Sequence, residues 1–154
     1  MPHGEPRVGE AVLKVLRHEA GAVLPVKAHA DDAGYDLTAL SVAALRPRVF
    51  AFDTGLSLQF PAGCYGEVLP RSSIVKTDFM LANSVGVIDP GYRGRLRVVL
   101  RYLGTGEGGT EAEALVGTRI AQLIVRRLEA VQVVAVTVLE GSARGEGGFG
   151  STGR

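Results

Sequence analysis

The sequence predicts an all-β fold of the sandwich or barrel type. Short runs rich in valine, leucine and aromatic residues are separated by Gly, Pro and Asp, which is typical of strands joined by tight turns. These runs lie at Leu13 to Arg17, Val49 to Phe60, Cys64 to Leu69 and Arg95 to Leu103. Two more apolar, β-branched stretches, Ile120 to Leu128 and Val131 to Leu139, predict further strands. No stretch requires a helix longer than about two turns.

Local patterns refine several of these elements. Charged and apolar residues alternate from Arg95 to Tyr102, which predicts a half-buried strand with basic groups on one side. Pro61-Ala62-Gly63 is a tight-turn sequence and predicts an antiparallel hairpin of the strands on either side. Residues 104–110 are rich in glycine and predict a flexible insertion. For Glu111 to Val116 we prefer a strand to a helical turn.

Length and composition limit the classes of protein that fit. At 154 residues the chain suits one domain; we assign residues 1–140 to a β-barrel domain and residues 141–154 to a flexible, Gly-rich C-terminal arm. No apolar run approaches the roughly 18 residues of a membrane helix, and the first ten residues lack an apolar signal core, so we expect a cytoplasmic protein. The net charge of +1 gives no overall reason to bind nucleic acid or a membrane.

Cysteine and histidine usage gives no metal-binding pattern. Cys64 is the single cysteine, which excludes an internal disulfide. The three histidines stand far apart in the sequence, at His3, His18 and His29. Zinc chemistry is therefore not expected.

Two Gly- or Ser-containing segments have compositions that suit phosphate groups. Residues 144–153 combine glycines and hydroxyls with one arginine and one phenylalanine, which suits phosphate and base capture but also a disordered linker. Pro70 to Thr77 places Arg71 and two serines where a strand ends and a helical turn begins. That placement suits an anion or simple N-capping by Ser72 or Ser73.

A third segment, Asn83 to Gly94, ends an apolar strand in a carboxylate. Asp89 stands on a Pro-Gly turn, three residues before Tyr92. The turn accounts for most of this pattern. A carboxylate close to a tyrosine also suits a positioned base beside a platform for a sugar ring.

Five motifs, in order, resemble those of the trimeric dUTP pyrophosphatases (dUTPases). They are Ala33 to Leu37, Pro70 to Ile74, Gly86 to Gly94, Gly117 to Leu123 and Arg144 to Gly153. The resemblance runs from about Leu13 to the end of the chain. It implies a jelly-roll-like homotrimer with active sites shared between subunits, which splits dUTP into dUMP and pyrophosphate with Mg²⁺. That reaction keeps uracil out of DNA and supplies dUMP for dTMP synthesis.

The third motif is implied to hold the base, the sugar and the attacking water. Asp89 resembles the general base that orients and deprotonates the water attacking the α-phosphorus. Tyr92 resembles the residue that packs beneath the deoxyribose and excludes a 2′-hydroxyl. Asn83, with the backbone of a hairpin continuing through Gly86 and Val87, corresponds to the strip that binds the uracil edge and rejects a 5-methyl group.

The other motifs are implied to hold the triphosphate and the metal. Asp36 resembles the carboxylate that supports Mg²⁺ through water, with the substrate phosphates as further ligands. Ser72 is implied to act near the oxygen that bridges the α and β phosphorus atoms, and Arg144 to act as an arginine finger. Triphosphate contacts are implied for Arg71, Ser72, Ser73 and Gln122. In the arm, stacking on uracil is implied for Phe149, and wrapping of the γ-phosphate for Gly150, Ser151 and Thr152.

The chain departs from the family pattern at a few positions. Ser73-Ile74 replaces the common Gly-Leu, and Thr118 replaces an Asp that would support Gln122 and the fourth-motif turn. Asp31-Asp32 precedes the first motif where small residues are more typical. This extra negative charge either perturbs binding nearby or is solvated.

Two alternative functions follow from the same motifs. The related dCTP deaminases share the style of Arg71 to Ser73 and of Ile88 to Gly91, but they use a glutamate where Val99 stands, and valine cannot transfer protons. A trimer that binds nucleotide without turnover is the other alternative. A pure binding module has no need of a base at Asp89.

Overall fold

The computed structural model describes residues 11–146, which form ten strands and two short helices. The α-helix α1 is Gly109–Glu113, and a 3₁₀ helix spans Ser72–Lys76. None of the helices among these residues is long and apolar enough to cross a membrane. The strands are β1 Lys14–Arg17, β2 Tyr35–Thr38, β3 Ser41–Arg46, β4 Val49–Asp53, β5 Leu56–Gln59, β6 Cys64–Leu69, β7 Phe79–Leu81, β8 Gly86–Ile88, β9 Arg97–Tyr102 and β10 Arg119–Arg127.

The strands form antiparallel sheets in a jelly-roll-like sandwich, as the sequence predicts. One four-stranded sheet has the order β2-β10-β6-β8, and the other has the order β3-β4-β9-β7. A two-stranded sheet pairs β1 with β5. In the first sheet Gln122 lies between Asp36 of β2 and Leu69 of β6. This register brings residues of three motifs, far apart in sequence, to one end of the sheet.

The hydrophobic core lies between the two four-stranded sheets. The first sheet contributes Leu37, Val68 and Leu123, and the second contributes Phe52 and Val98, all at most 2% exposed. Burial of each such side chain is worth roughly 1.5–3 kcal/mol, so this two-sided core is the main stabilising term. Along β9 buried and more exposed residues alternate, which confirms the predicted half-buried strand with its basic side.

The prediction of a hairpin around Pro61 to Gly63 is wrong. The turn itself forms, since Cys64 N donates to Pro61 O at 3.1 Å and Gly63 has φ +70°. However, β5 pairs with β1, whereas β6 pairs with β10 and β8. The turn therefore carries the chain from one sheet to another, because distant strands and not the turn decide the pairing. The strands on either side of Asn83, β7 and β8, also belong to different sheets, so the hairpin predicted there is likewise absent from residues 11–146.

The strand predicted at Glu111 to Val116 is also wrong. The segment begins in α1 and continues as turns. Ala112 is fully buried, and its N–H donates to Gly108 O at 2.9 Å. One buried alanine among helix-favouring glutamates suits a short helix that covers the core edge better than an alternating strand.

The final strand predicted at Val131 to Leu139 does not form within the described chain. Only β10 forms from the two last apolar stretches, and it ends at Arg127. The valines and the leucine of the second stretch are 61–94% exposed. A strand requires a neighbour to pair its backbone N–H and C=O groups, and no strand of residues 11–146 takes that place.

Candidate functional site

Two cavities contain most of the predicted site residues that lie within residues 11–146. The first, which we call the Asp36 cavity, has a volume of about 270 Å³ and is lined by residues that include Gly34, Asp36, Arg71, Ser72 and Gln122. The second, the Asp89 cavity, has a volume of about 460 Å³ and is lined by Val87, Ile88, Asp89, Tyr92 and Gly94 to Arg97. The two cavities share no lining residue.

The Asp36 carboxylate accepts hydrogen bonds from two arginines. Arg71 Nε donates to Asp36 Oδ1 at 2.6 Å, and Arg119 Nη1 donates to Asp36 Oδ2 at 3.0 Å. The Asp36 side chain is only 12% exposed, whereas that of Arg119 is 54% exposed. Arg71 and Arg119 share the Asp36 carboxylate, and Asp32, which also lines the cavity, balances the second positive charge. The guanidinium groups still offer charge-assisted N–H donors to an anionic ligand.

The 3₁₀ helix presents the serines beside this group. Arg71 is the N-cap residue and no side chain caps the helix, so the capping role considered for Ser72 or Ser73 is not found. Ser73 Oγ instead accepts a hydrogen bond from Arg71 Nη1 at 3.1 Å, while Ser72 is exposed and lines the cavity. The departure at Ser73 therefore gives Arg71 an acceptor that a glycine would lack.

Gln122 lines the Asp36 cavity. Its Nε2 donates to Pro70 O at 2.9 Å, at the point where β6 ends. A Cβ atom at Gly34 would overlap the Gln122 amide, so the glycine of the first motif is required for this close approach. The side-chain amide keeps one N–H for a ligand, because an NH₂ group has two donors.

The fourth-motif turn closes without the usual aspartate. Thr118 Oγ1 donates to Leu115 O at 2.7 Å, and Gly117 adopts φ +80°, which favours glycine. The backbone of this turn is fixed to Ala39, the residue directly after β2, because Gly117 N donates to Ala39 O and Ala39 N donates to Thr118 O. The turn that leads into β10 is therefore held by backbone pairing and one hydroxyl.

The Asp89 cavity is built on the turn that follows β8. Asp89 and Tyr92 are both exposed, and Tyr92 N donates to Asp89 O at 3.0 Å. Arg93 Nη1 donates to the carbonyl groups of Pro90 and Tyr92 at 2.7 and 2.9 Å, which stiffens the turn. The carboxylate and the phenol ring therefore face one open space, as the third motif predicts.

The residues predicted to bind uracil do not all lie at the Asp89 cavity, because β8 runs from the Arg71 end of the sheet towards that cavity. Gly86 pairs with Val68 at the end of β6 that leads to Arg71, whereas Ile88 pairs with Gly66. Val87 lines the Asp89 cavity and is 61% exposed. Asn83 is exposed beside Ser84, whose φ of +60° turns the chain. Neither Asn83 nor Gly86 lines the cavity of Asp89 and Tyr92.

The arm residues fall partly outside the structure described. Arg144 is exposed on a turn in which Gly145 N donates to Ser142 O at 3.0 Å. Phe149, Gly150, Ser151 and Thr152 lie outside residues 11–146.

The donor set at Asp36 fits Mg²⁺ held through water. Each oxygen of Asp36 accepts one arginine bond and, with two lone pairs, retains a position for a hydrogen of metal-bound water. Mg²⁺ keeps several waters and binds through one or two carboxylates together with phosphates. Residues 11–146 contain no group of three or more His, Cys, Asp or Glu that could hold a metal ion. Water and substrate would therefore complete the coordination.

Sequence reasoning missed several residues beside these cavities. Arg119 stands next to Thr118 in the fourth motif. A positive charge at the start of a predicted strand was the feature of the sequence that could have indicated a phosphate-binding residue there. Arg95 lines the Asp89 cavity and forms ion pairs with Glu19 and Asp53. No local pattern could have found these last pairs, since the partners are 76 and 42 positions from Arg95.

Comparison with protein families and curated sequences gives a consistent result. A family model described as dUTPase matches residues 20–153. The deoxyuridine 5'-triphosphate nucleotidohydrolase of Solibacter usitatus (strain Ellin6076) is 42% identical over 146 residues, covering 92% of this chain and 96% of that protein. The protein of the same name from Mycobacterium leprae (strain Br4923) is 40% identical over 151 residues, covering 92% and 94%.

Solved structures resemble the chain over most of its length. The dUTPase of Staphylococcus bacteriophage 80alpha, solved with dUPNHPP, has a TM-score of 0.76 and 26% identity, covering 93% of this chain and 99% of that chain. A variant dUTPase from phage phi11 of S. aureus, described as coordinating a structural Mg(II) ion, has a TM-score of 0.71 and 22% identity, covering 84% and 99%. At that lower identity the likeness concerns the fold alone.

Proposed function

This chain belongs to the dUTPase family, a family of hydrolases, and from that premise we propose that it hydrolyses dUTP to dUMP and pyrophosphate with Mg²⁺. The observation that carries the proposal is the Asp36 cavity, where Arg71, Ser72 and Gln122 converge beside a carboxylate. The cationic fork, hydroxyl and amide suit the oxygens of a triphosphate better than a neutral ligand. Their arrangement at the ends of paired strands means that little reorganisation is needed on binding.

On the phosphate side, the chain's own residues bind and orient the triphosphate. Arg71 and Arg119 offer charge-assisted N–H donors, and Ser72 offers a hydroxyl near the oxygen between the α and β phosphorus atoms. Gln122 contributes its remaining amide N–H. Bond cleavage leaves negative charge on pyrophosphate, and these donors stabilise it as it develops.

Asp89 serves as the general base in this proposal. Its carboxylate accepts a proton from a water molecule, whose oxygen forms the new bond to the α-phosphorus. The bond from that phosphorus to the bridging oxygen breaks, and pyrophosphate leaves. Exposure of Asp89 on a stiff turn supports this role, because the carboxylate is accessible and its backbone is fixed.

Bound Mg²⁺ would neutralise charge on the phosphate oxygens. Asp36 would hold the waters of the ion through the acceptor positions that the two arginines leave. Arg144 and the residues that follow it in the arm, 145–154, would then cover the nucleotide and exclude bulk water. In this proposal residues 1–140 are the barrel domain and residues 141–154 are the arm.

We further propose that the enzyme is a homotrimer whose sites are shared between subunits. A general base must lie about 3 Å from the water it activates. In one chain Asp89 comes directly after β8, three positions beyond Gly86, which places it about 10 Å further from the Arg71 end of the sheet than Gly86 is. The separate linings of the two cavities support a site in which one subunit supplies Arg71 and another supplies Asp89.

The exposed apolar segment Val131 to Leu139 gives independent support for association. Large exposed apolar surfaces of this kind mark interfaces. The same chain has an open groove of about 500 Å³ beside β1, whose only pairing partner within residues 11–146 is β5. The groove is lined by Ala11, Leu13, Val15, Leu24, Pro25, Tyr35, Pro61 and Val125. The apolar segment Val131 to Leu139 of a neighbouring subunit would match the apolar lining of this groove.

Specificity and cellular role complete the proposal. Tyr92 would lie against the deoxyribose and exclude a 2′-hydroxyl, while the backbone from Asn83 through Gly86 and Val87 would bind the uracil edge. The reaction would lower dUTP available to DNA synthesis and supply dUMP for dTMP synthesis. We place it in the cytoplasm.

Product analysis tests the proposed reaction directly. Purified protein is incubated with dUTP, dCTP, dTTP or UTP and Mg²⁺, and both nucleotide and inorganic products are identified. Release of dUMP and pyrophosphate from dUTP alone is expected. Deamination of dCTP would contradict the argument from Val99, and tight binding of dUTP without turnover would favour a nucleotide sensor.

A further inference from the structure

Three successive carbonyl groups after Tyr92 each accept a side-chain hydrogen bond. Ser57 Oγ donates to Gly94 O at 3.0 Å, Tyr92 Oη donates to Arg95 O at 3.2 Å, and Thr54 Oγ1 donates to Leu96 O at 2.8 Å. Thr54 is fully buried and Ser57 is 6% exposed. The segment Gly94 to Leu96, which we call the strap, is therefore fixed from the side of the core.

The ring of Tyr92 rests on this strap. A Cβ atom at Gly94 would overlap the phenol oxygen and ring of Tyr92, so the ring lies directly on glycine backbone. Tyr92 itself is 47% exposed. Burial alone therefore does not fix the orientation of the ring; the backbone beneath it and the hydrogen bond from Oη to Arg95 O do.

The Arg95 side chain fixes the residue that accepts this hydrogen bond. Its Nη1 and Nη2 donate to the two carboxylate oxygens of Glu19 at 2.8 and 3.0 Å, and its Nε donates to Asp53 Oδ2 at 2.8 Å. A bidentate pair of this kind sets orientation as well as distance. These three bonds hold the side chain and the Cα of Arg95, and the peptide group that carries Arg95 O is also held by Leu96 N, which donates to Leu56 O at 2.7 Å.

A second anchor reaches Gly94 through Ser57. A carbonyl oxygen can only accept, so the single hydroxyl proton of Ser57 is used on Gly94 O. His18 Nε2, 2.8 Å from Ser57 Oγ, must then be the donor, which assigns the tautomer with hydrogen on Nε2. His18 and Glu19 are adjacent, so one short segment after β1 reaches both Gly94, through Ser57, and Arg95.

We propose that Glu19 and Arg95 are positioning residues for Tyr92, and that they thereby determine how strongly the enzyme rejects a ribonucleotide. This inference rests on the proposed function, in which the Tyr92 ring lies against the deoxyribose. Loosening the Arg95 carbonyl lets the ring tilt, so the space that excludes a 2′-hydroxyl becomes less well defined. The chemistry at the α-phosphorus does not depend on this contact.

The test compares kcat and KM for dUTP and UTP in four proteins: the wild type, Glu19→Gln, Arg95→Lys and Arg126→Gln. Glutamine removes the charge of Glu19, and lysine keeps charge at position 95 but loses the bidentate fork. Arg126→Gln is the control because it breaks another exposed ion pair, from Arg126 Nε to Glu67 Oε2 at 3.1 Å. Thermal unfolding of all four proteins reports their folding.

For both strap variants the ratio of kcat/KM for dUTP to that for UTP is expected to fall about tenfold, the factor that corresponds to one ordinary hydrogen bond. The change should appear mainly as a higher kcat/KM for UTP. For Glu19→Gln, whose residue lines neither cavity, kcat for dUTP should stay within about threefold of wild type. The control should keep the wild-type ratio. An unchanged ratio in both strap variants, or an equal fall in the control, would overturn the inference.

A Tyr92→Phe variant provides a second measurement. It keeps the ring but removes the bond to Arg95 O. If Glu19 acts through that bond, Tyr92→Phe and Glu19→Gln lower the dUTP to UTP ratio similarly, and the double variant shows no additional loss. Additive losses would contradict the positioning role. A wild-type protein that does not hydrolyse dUTP would instead contradict the proposed function. Failure of the positioning role and failure of the proposed function are therefore distinguishable.

Discussion

Arg71 donates through Nε to Asp36 Oδ1 at 2.6 Å, which joins the end of β6 to β2 across the intervening strand β10. The same guanidinium donates through Nη1 to Ser73 Oγ and Arg119 O. These contacts fix the plane of the guanidinium before any ligand arrives. Nε and Nη1 of Arg71 are thus both engaged, and Nη2 is the nitrogen whose N–H groups remain for a phosphate oxygen.

Replacing Arg71 by lysine should weaken substrate binding even though the positive charge remains. Lysine has no planar guanidinium that can contact Asp36, Ser73 and the Arg119 carbonyl while keeping a further nitrogen for phosphate. We expect KM for dUTP to rise about tenfold, measured by pyrophosphate release at saturating Mg²⁺. Arg101→Lys on β9, outside both cavities, is the matched control. A wild-type KM in Arg71→Lys would remove this arginine from the proposed site.

Replacing Asp89 by asparagine should separate binding from turnover. Asparagine keeps the size of the side chain but cannot accept a proton from water, so we expect kcat to fall about 10²- to 10⁴-fold. The Kd for dUTP, measured by calorimetry, should stay within a few-fold of wild type. Glu107→Gln, in the insertion, serves as the control for loss of one exposed carboxylate. Near wild-type kcat in Asp89→Asn would refute the assignment of the base.

Mixing two inactive variants should restore activity if sites are shared between subunits. Subunits of Asp89→Asn and Arg71→Ala are unfolded, combined in equal amounts and refolded together. In random trimers about one site in four receives an intact Arg71 and an intact Asp89 from different chains. We therefore expect about a quarter of wild-type activity. Activity no higher than that of either refolded variant alone would place both residues of a working site in one subunit.

Truncation after Gly141 should abolish most turnover without unfolding the protein. Within residues 11–146 the last strand ends at Arg127, so the described sheets remain complete, but residues 142–154, which include Arg144, are lost. We expect kcat/KM for dUTP to fall at least about 100-fold, because water exclusion and the arginine contact disappear. The thermal midpoint should stay close to that of the full chain. An unchanged kcat/KM would show that the arm takes no part in the reaction.

Asp53 should contribute stability that disappears in acid. Burial alone would raise the pKa of Asp53, but the Gly55 N–H and Arg95 outweigh it and hold that pKa below its usual value of 3.8. Its stabilising effect is therefore complete above pH 3.8 and is lost as the pH falls through the lower folded-state pKa. At pH 7 we expect Asp53→Asn to cost about 1 kcal/mol of unfolding free energy.

Denaturant unfolding from pH 7 to pH 2.5 checks this expectation. The difference between wild type and Asp53→Asn should be constant down to about pH 4 and shrink below it. Asp31→Asn, at an exposed loop position, is the control and should show no comparable pH-dependent difference. A difference that persists unchanged at the lowest pH would mean that shape and packing, not charge, account for the effect of the substitution.

The sequence by itself determined the elements whose signals are local. Alternation along β9, the turn after Ile88 and the strand end before Arg71 depend on neighbouring residues, and all three form as predicted. The motifs also predicted which side chains gather in the Asp36 cavity, because that order of residues identifies the family. Where a short apolar segment was ambiguous, as at Glu111 to Val116, the pattern alone did not decide between strand and helix.

Only the tertiary structure decided which strands pair and which side chains meet. Pro61 to Gly63 forms its turn, yet β5 and β6 enter different sheets, because pairing is selected by burial across the whole core. Val131 to Leu139 has strand composition but lacks a partner within residues 11–146. The contact of Arg119 with Asp36 and the clamp of Arg95 by Glu19 and Asp53 join positions far apart in sequence. Such contacts depend on strand register, which no single segment encodes.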